Sequence, residues 1–79
     1  MKINILAFGI VKEIFGASKI ELELHEANAE ALKKILHEKF PKLLQLKSYM
    51  VAVNSEYANS DTQITEKDEV AIIPPVSGG

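Results

Sequence analysis

Residues 68–79 read DEVAIIPPVSGG, and the fold turns on how that stretch divides. Val70 and Ile72 fall on one side of an extended chain and Ala71 and Ile73 on the other, the two-residue period of a strand. Pro74 and Pro75 end it, because each fixes φ, neither offers an N–H, and Pro74 pushes Ile73 away from the helical region. The chain thus divides into a folded domain over 1–73 and an extended, flexible C-terminal tail over 74–79.

The tail has the makings of a chemical device. After the stiff Pro74 and Pro75 come Val76 and Ser77, and then Gly78 and Gly79 present backbone without side chains, able to enter a channel too narrow for a Cβ. The reactive group there is the Gly79 carboxylate. A carboxylate is a poor acyl donor until activated, and attack on the α-phosphate of ATP converts it into an acyl-adenylate with a good leaving group. The sequence contains no GxxxxGK[ST] phosphate loop, so a partner must perform that step. The chain reads as a protein substrate charged at its C-terminus by another enzyme.

Upstream of the tail, Ile3, Ile5 and Ala7 share one face of a first strand, with Leu6 and Phe8 on the other. Gly9 breaks this strand, and IVKEIFG (10–16) spaces Val11, Ile14 and Phe15 as a short helical turn stopped by Gly16. In KIELEL (19–24), Ile20, Leu22 and Leu24 alternate with Lys19, Glu21 and Glu23, a half-buried strand able to pair with the first. Asn28 suits the N-cap of a helix whose Leu32, Ile35, Leu36 and Phe40 form one apolar face before Pro41 closes it, with Lys33, Lys34 and Glu38 toward solvent. A leucine-rich connection leads to a strand through Val53, with Asn54, Ser55 and Glu56 as a turn into Tyr57. Ile64 packs a loop ahead of the final strand. The order is strand, turn, strand, helix, strand, hairpin region, strand: an α+β roll with one main helix on one sheet face.

Composition narrows the function. With 79 residues there is room for one domain, which buries about 60% of the surface its unfolded chain exposes. Hydrophobic residues make up 47% and charged residues 25% of the chain, too apolar for disorder. The formal charge is −2 and all nine cations are lysines, so the guanidinium forks that usually read bases and phosphates are missing, and nucleic acid is not an expected partner. Cysteine is absent, which removes disulfides and thiolate chemistry together, so any sulfur must be brought in. Lys12 and Glu13 interrupt the apolar opening, which suits a strand better than a secretory leader, and nothing approaches a spanning helix. The expectation is a cytoplasmic protein with no membrane partner.

Other candidate groups read as ordinary surface. His25 and His37 lack helical ligand spacing and are expected at the surface, so no metal site is predicted. Asp68 and Glu69 alternate faces on a strand and read as a solvated turn rather than an acid–base pair.

FGIVKEIFG, AEALKKIL, VAVNSEY and DEVAIIPPVSGG together resemble the small subunit of molybdopterin synthase, a family of ubiquitin-like sulfur carriers. The resemblance covers the whole chain and is most specific in the last segment. It implies a β-grasp fold, a mixed sheet covered on one face by one main helix. It further implies that an E1-like adenylyltransferase uses ATP to activate Gly79, that a sulfur donor protein converts it to a thiocarboxylate, and that the large subunit accepts the tail through Pro74, Pro75, Val76, Ser77 and Gly78. Sulfur then passes to a cyclic pyranopterin monophosphate to build the molybdenum cofactor's dithiolene, within a heterotetramer of two small and two large subunits. No bound cofactor and no catalytic site of this chain's own are expected beyond the Gly79 terminus.

Phe8 matches the family's interface aromatic, while Tyr57 and Ile73 occupy family interface positions with altered side chains. Where many members have glycine in Gly-Asp-Glu-Val, this chain has Lys67, so a positive φ there would strain the turn. Sulfur carriers for thiamine thiazole synthesis or tRNA thiolation are the alternatives in the same chemistry, and the Pro-Pro-Val-Ser lead-in argues against both. A protein modifier joined through Gly79, or a binding module using the sheet face alone, are the alternatives of another class.

Overall fold

Extended segments with alternating side chains must find partners for their backbone polar groups, and here five of them find one another. The computed structural model describes residues 1–46 and 48–75. The strands are β1 (Lys2–Ala7), β2 (Lys19–Glu23), β3 (Met50–Val53), β4 (Glu56–Tyr57) and β5 (Val70–Ile73). They form one sheet in the order β2-β1-β5-β3-β4. β1 and β5 run parallel at its centre and every other pairing is antiparallel. This is the mixed β-grasp sheet with one main helix.

The register explains the core. Ile20, Ile5, Val70 and Val53 lie in one row across four strands, and Ala7, Ile72 and Val51 in the next. Cross-strand partners point to the same side, so these rows make one continuous apolar surface. All but the edge residue Ile20 are buried. Helix α2 (Ala29–Lys39) covers it with Leu32 and Leu36, each side chain contributing about 1.5–3 kcal/mol on burial.

α2 starts where its sequence says it should. Asn28 is extended and its Oδ1 accepts from the Ala31 N–H at 2.8 Å, satisfying one of the donors a helix leaves open. The helix stops at Phe40, whose N–H still reaches the Leu36 carbonyl at 2.7 Å, because Pro41 cannot continue the ladder. A 3₁₀ turn over Pro41–Gln45 comes next and buries Leu43. Helix α1 (Ile10–Phe15) ends on Gly16 in the left-handed conformation, its N–H bonded to the Lys12 carbonyl, and Phe15 stacks on Phe40 with ring centroids 4.5 Å apart.

Two local expectations change. The β3–β4 connection is a two-residue turn with Asn54 at φ 53 and Ser55 at φ 69, and Glu56 lies in β4, paired with Val53. Two consecutive positive φ values match the twist of the flanking strands, which is why the turn is shorter than the polar run implies. Positive φ among non-glycine described residues occurs only at Asn54 and Ser55, so Lys67 does not strain its turn. That turn is held instead by Asp68, whose Oδ2 accepts from the Thr65 N–H at 2.8 Å and whose N–H donates to the Thr65 carbonyl.

Candidate functional site

The inward rows have a counterpart on the other side of the sheet. Leu6, Ala71, Ala52 and Tyr57 form one cross-strand row facing away from α2. One step on, Ile73 pairs with Met50, and Phe8, just past the Ala7–Ile72 pair, comes level with them. No helix of the described residues covers this face. Phe8 is 48%, Met50 43% and Tyr57 70% exposed, whereas Ile73 is half-buried. Phe8, Ile73 and Tyr57, separated by as many as 65 residues in sequence, thus share one apolar surface. Met50 belongs with them, and the alternation of MVAV carries that signal once Val51 and Val53 are taken as inward.

The tail leaves from the edge of this surface. β5 ends at Ile73, Pro74 is half-buried and Pro75 exposed. Gly9 lies beside Pro74: a Cβ added to Gly9 would sit 3.1 Å from the proline Cγ. Gly9 itself has φ 55 and ψ −131, a combination left to glycine. In the sequence Gly9 registers only as a strand breaker, because contact with a residue 65 positions away has no local signature. Val76, Ser77, Gly78 and Gly79, the remaining tail positions, lie outside the described residues.

Near the site Asn54 and Asp68 have a structural role. Asn54 bridges two turns: its Nδ2 donates to Asp68 Oδ1 at 2.9 Å, its Oδ1 accepts from the Glu69 N–H at 2.9 Å, and its own N–H donates to the Glu69 carbonyl at 2.7 Å. The bonds from the Asn54 side chain and the Thr65 backbone hold the Asp68 carboxyl below the ordinary aspartate range, since they favour its charged form. Asp68 therefore ties the turns of β3–β4 and β5 together, rather than merely standing in solvent. His37 also differs from expectation. It is half-buried, with Nε2 2.6 Å from the Tyr49 hydroxyl and the rings edge to face, while Lys33 lies over the Tyr49 ring. Burial pushes the Tyr49 hydroxyl up. His25 is exposed.

Chemically, the arrangement offers an apolar docking face beside the start of a chain segment. Among the described residues no three His, Asp or Glu converge as a metal-holding group, and no helix is long and apolar enough to cross a membrane.

Comparison with known proteins fits this picture. The ThiS family matches residues 5–79. The molybdopterin synthase sulfur carrier subunit of Dictyostelium discoideum is 41% identical, over 96% of this chain and 94% of its own. Among solved structures, SAMP1 from Haloferax volcanii has a TM-score of 0.83 at 22% identity, with 100% of each chain covered, a likeness of fold alone. The complex of subunits 1 and 2 of the molybdopterin-converting factor from Helicobacter pylori contains a chain with TM-score 0.71 and 25% identity, again over 100% of each.

Proposed function

Because this chain belongs to the ThiS family, we propose that it is the sulfur carrier subunit of a molybdopterin synthase. The observation carrying this reading is the full-length likeness to the Dictyostelium sulfur carrier subunit at 41% identity. The uncovered apolar face at the tail's root and the two-subunit complex of a relative support a large-subunit partner.

In this mechanism an E1-like adenylyltransferase presents ATP to the Gly79 carboxylate. The carboxylate oxygen attacks the α-phosphate, pyrophosphate leaves, and the acyl-adenylate forms. A sulfur donor protein's persulfide then attacks the acyl carbon and AMP departs, and a second thiol of the partner machinery cleaves the resulting acyl disulfide, leaving this chain's thiocarboxylate and a disulfide between the two thiols. The charged carrier docks on the large subunit through Phe8, Ile73 and Tyr57, with Met50 completing the face. Pro74 and Pro75 direct the tail, and Val76, Ser77 and Gly78 thread it toward the pyranopterin substrate, where the soft sulfur is the nucleophile. Acid, base and phosphate-binding groups are the large subunit's. Two such transfers build the dithiolene, consistent with two small subunits in a heterotetramer.

The test is direct. The chain is prepared with a C-terminal thiocarboxylate and mixed with a molybdopterin synthase large subunit and cyclic pyranopterin monophosphate, beside a carboxylate-ended control. Dithiolene product from the thiocarboxylate form alone is the expected result. Absence of product with an active large subunit would move the chain to thiamine or tRNA sulfur transfer.

A further inference from the structure

Helix N-cap positions favour Ser, Thr, Asp or Asn, whose side chains satisfy open N–H groups. At the start of α1 the chain instead has Gly9, with no side-chain cap. Two observations account for the choice. The φ of 55 with ψ −131 is accessible to glycine and costly for an L side chain. A Cβ there would also be crowded, because Pro74 Cγ would lie 3.1 Å from it and would have to give by a few tenths of an ångström. Gly16 makes the contrast: its φ is also positive, at 78, yet nothing lies within 4 Å of a Cβ built there. Gly16 is glycine for its backbone alone, whereas Gly9 is glycine for its backbone and for Pro74.

A proline ring cannot swing aside as a long side chain does. Its Cγ can yield only by a change of ring pucker, and whatever displacement the pucker does not absorb moves the residue, and with it the direction in which the chain leaves the sheet. Pro74 is the first residue after β5, so a rotation there changes the direction in which Pro75 leaves the sheet. We infer that Gly9 is a positioning residue for sulfur transfer, its bare α-carbon forming the seat for Pro74 that aims the C-terminal tail. This rests on the carrier reading above.

The experiment is a double-mutant cycle of Gly9→Ala and Pro74→Ala, read by steady-state adenylation of the full chain with its E1-like partner below the melting temperature of every variant. Gly9→Ala is expected to lower kcat by about tenfold with KM unchanged, as misplacement of a reacting group does. Pro74→Ala alone is expected to cost about threefold, and Gly9→Ala to add nothing in that background, because the ring it strikes is gone. Backbone strain by itself would act equally in both backgrounds. A Gly9→Ala loss that persists in the Pro74→Ala background, or no loss at all, overturns the inference. Should Gly9→Ala fail to fold, the seat is read from the nuclear Overhauser contact between Gly9 Hα and Pro74 Hγ in the unaltered chain and from the Pro74→Ala rate, and absence of either overturns it. If the unaltered chain is no substrate for the adenylating partner, the carrier reading fails, and the same contact alone then decides whether Gly9 seats Pro74.

Discussion

The two faces of the sheet are built from the same strands and meet opposite fates. On the inner face Ile3, Ile5, Val70, Ile72 and Val51 are buried under α2. On the outer face Phe8, Met50 and Tyr57 stay open to solvent, though no folding requirement puts large apolar groups there. Apolar residues on a covered face follow from packing; on an uncovered face, and clustered, they mark a place where something docks. The inner face makes the fold, and the outer face is the docking surface proposed above.

Substitution can break this division or sharpen it. The largest effect is expected inside: Leu36→Ala removes a fully buried side chain and should cost about 2–5 kcal/mol. In a domain this small that lowers the melting temperature by more than about 10 °C, measured by calorimetry. Phe8→Ala on the outer face is expected to weaken binding to the large subunit at least about tenfold, while unfolding free energy changes by less than about 0.5 kcal/mol. Titration calorimetry beside urea denaturation separates the two, and unfolding loss without binding loss would erase the distinction between the faces.

Smaller changes lie in the turns that join the faces. Ser55→Gly relieves the positive φ of a side-chain-bearing residue and should stabilise by about 0.5–1 kcal/mol, leaving partner affinity as it was. The inner face holds no charged or polar residue among those described, so acid sensitivity should enter through outer turns. Asp68 has a depressed folded pKa. Its stabilising contribution is present above the ordinary aspartate value of 3.8 and is lost as pH falls through the lower folded value. Asp68→Asn should flatten that part of the stability curve, checked by denaturation midpoints across the acid range from about pH 5 down to about pH 2.

Local periodicity made much of this molecule legible. The alternation of Ile3, Ile5 and Ala7, the helical spacing of Leu32, Leu36 and Phe40, the Asn28 cap and the Gly16 stop each depend on neighbours within a turn or two. The Pro41–Gln45 turn was not legible, because Leu43, Leu44 and Leu46 fit no single period: Leu43 is buried, Leu46 packs partly against the core and Leu44 is exposed. The Asn54–Ser55 turn lacks the glycine that usually signals two positive φ values. His37 meeting Tyr49, Met50 joining Phe8, and Gly9 meeting Pro74 are products of register between distant segments. The tail chemistry proposed from Gly78 and Gly79 concerns residues outside those described.

The central position of β5 also bears on biosynthesis. A nascent chain that has emerged only as far as Lys67 can pair β1 with β2 and β3 with β4, but these remain two separate ribbons, since β5, the strand that joins them, comes afterward. Ribosomal release of residues 70–73 completes the sheet and places Pro74 beside Gly9 in the same event. A product stalled before Val70 therefore lacks the joined sheet, and with it the register that brings Phe8 level with Met50.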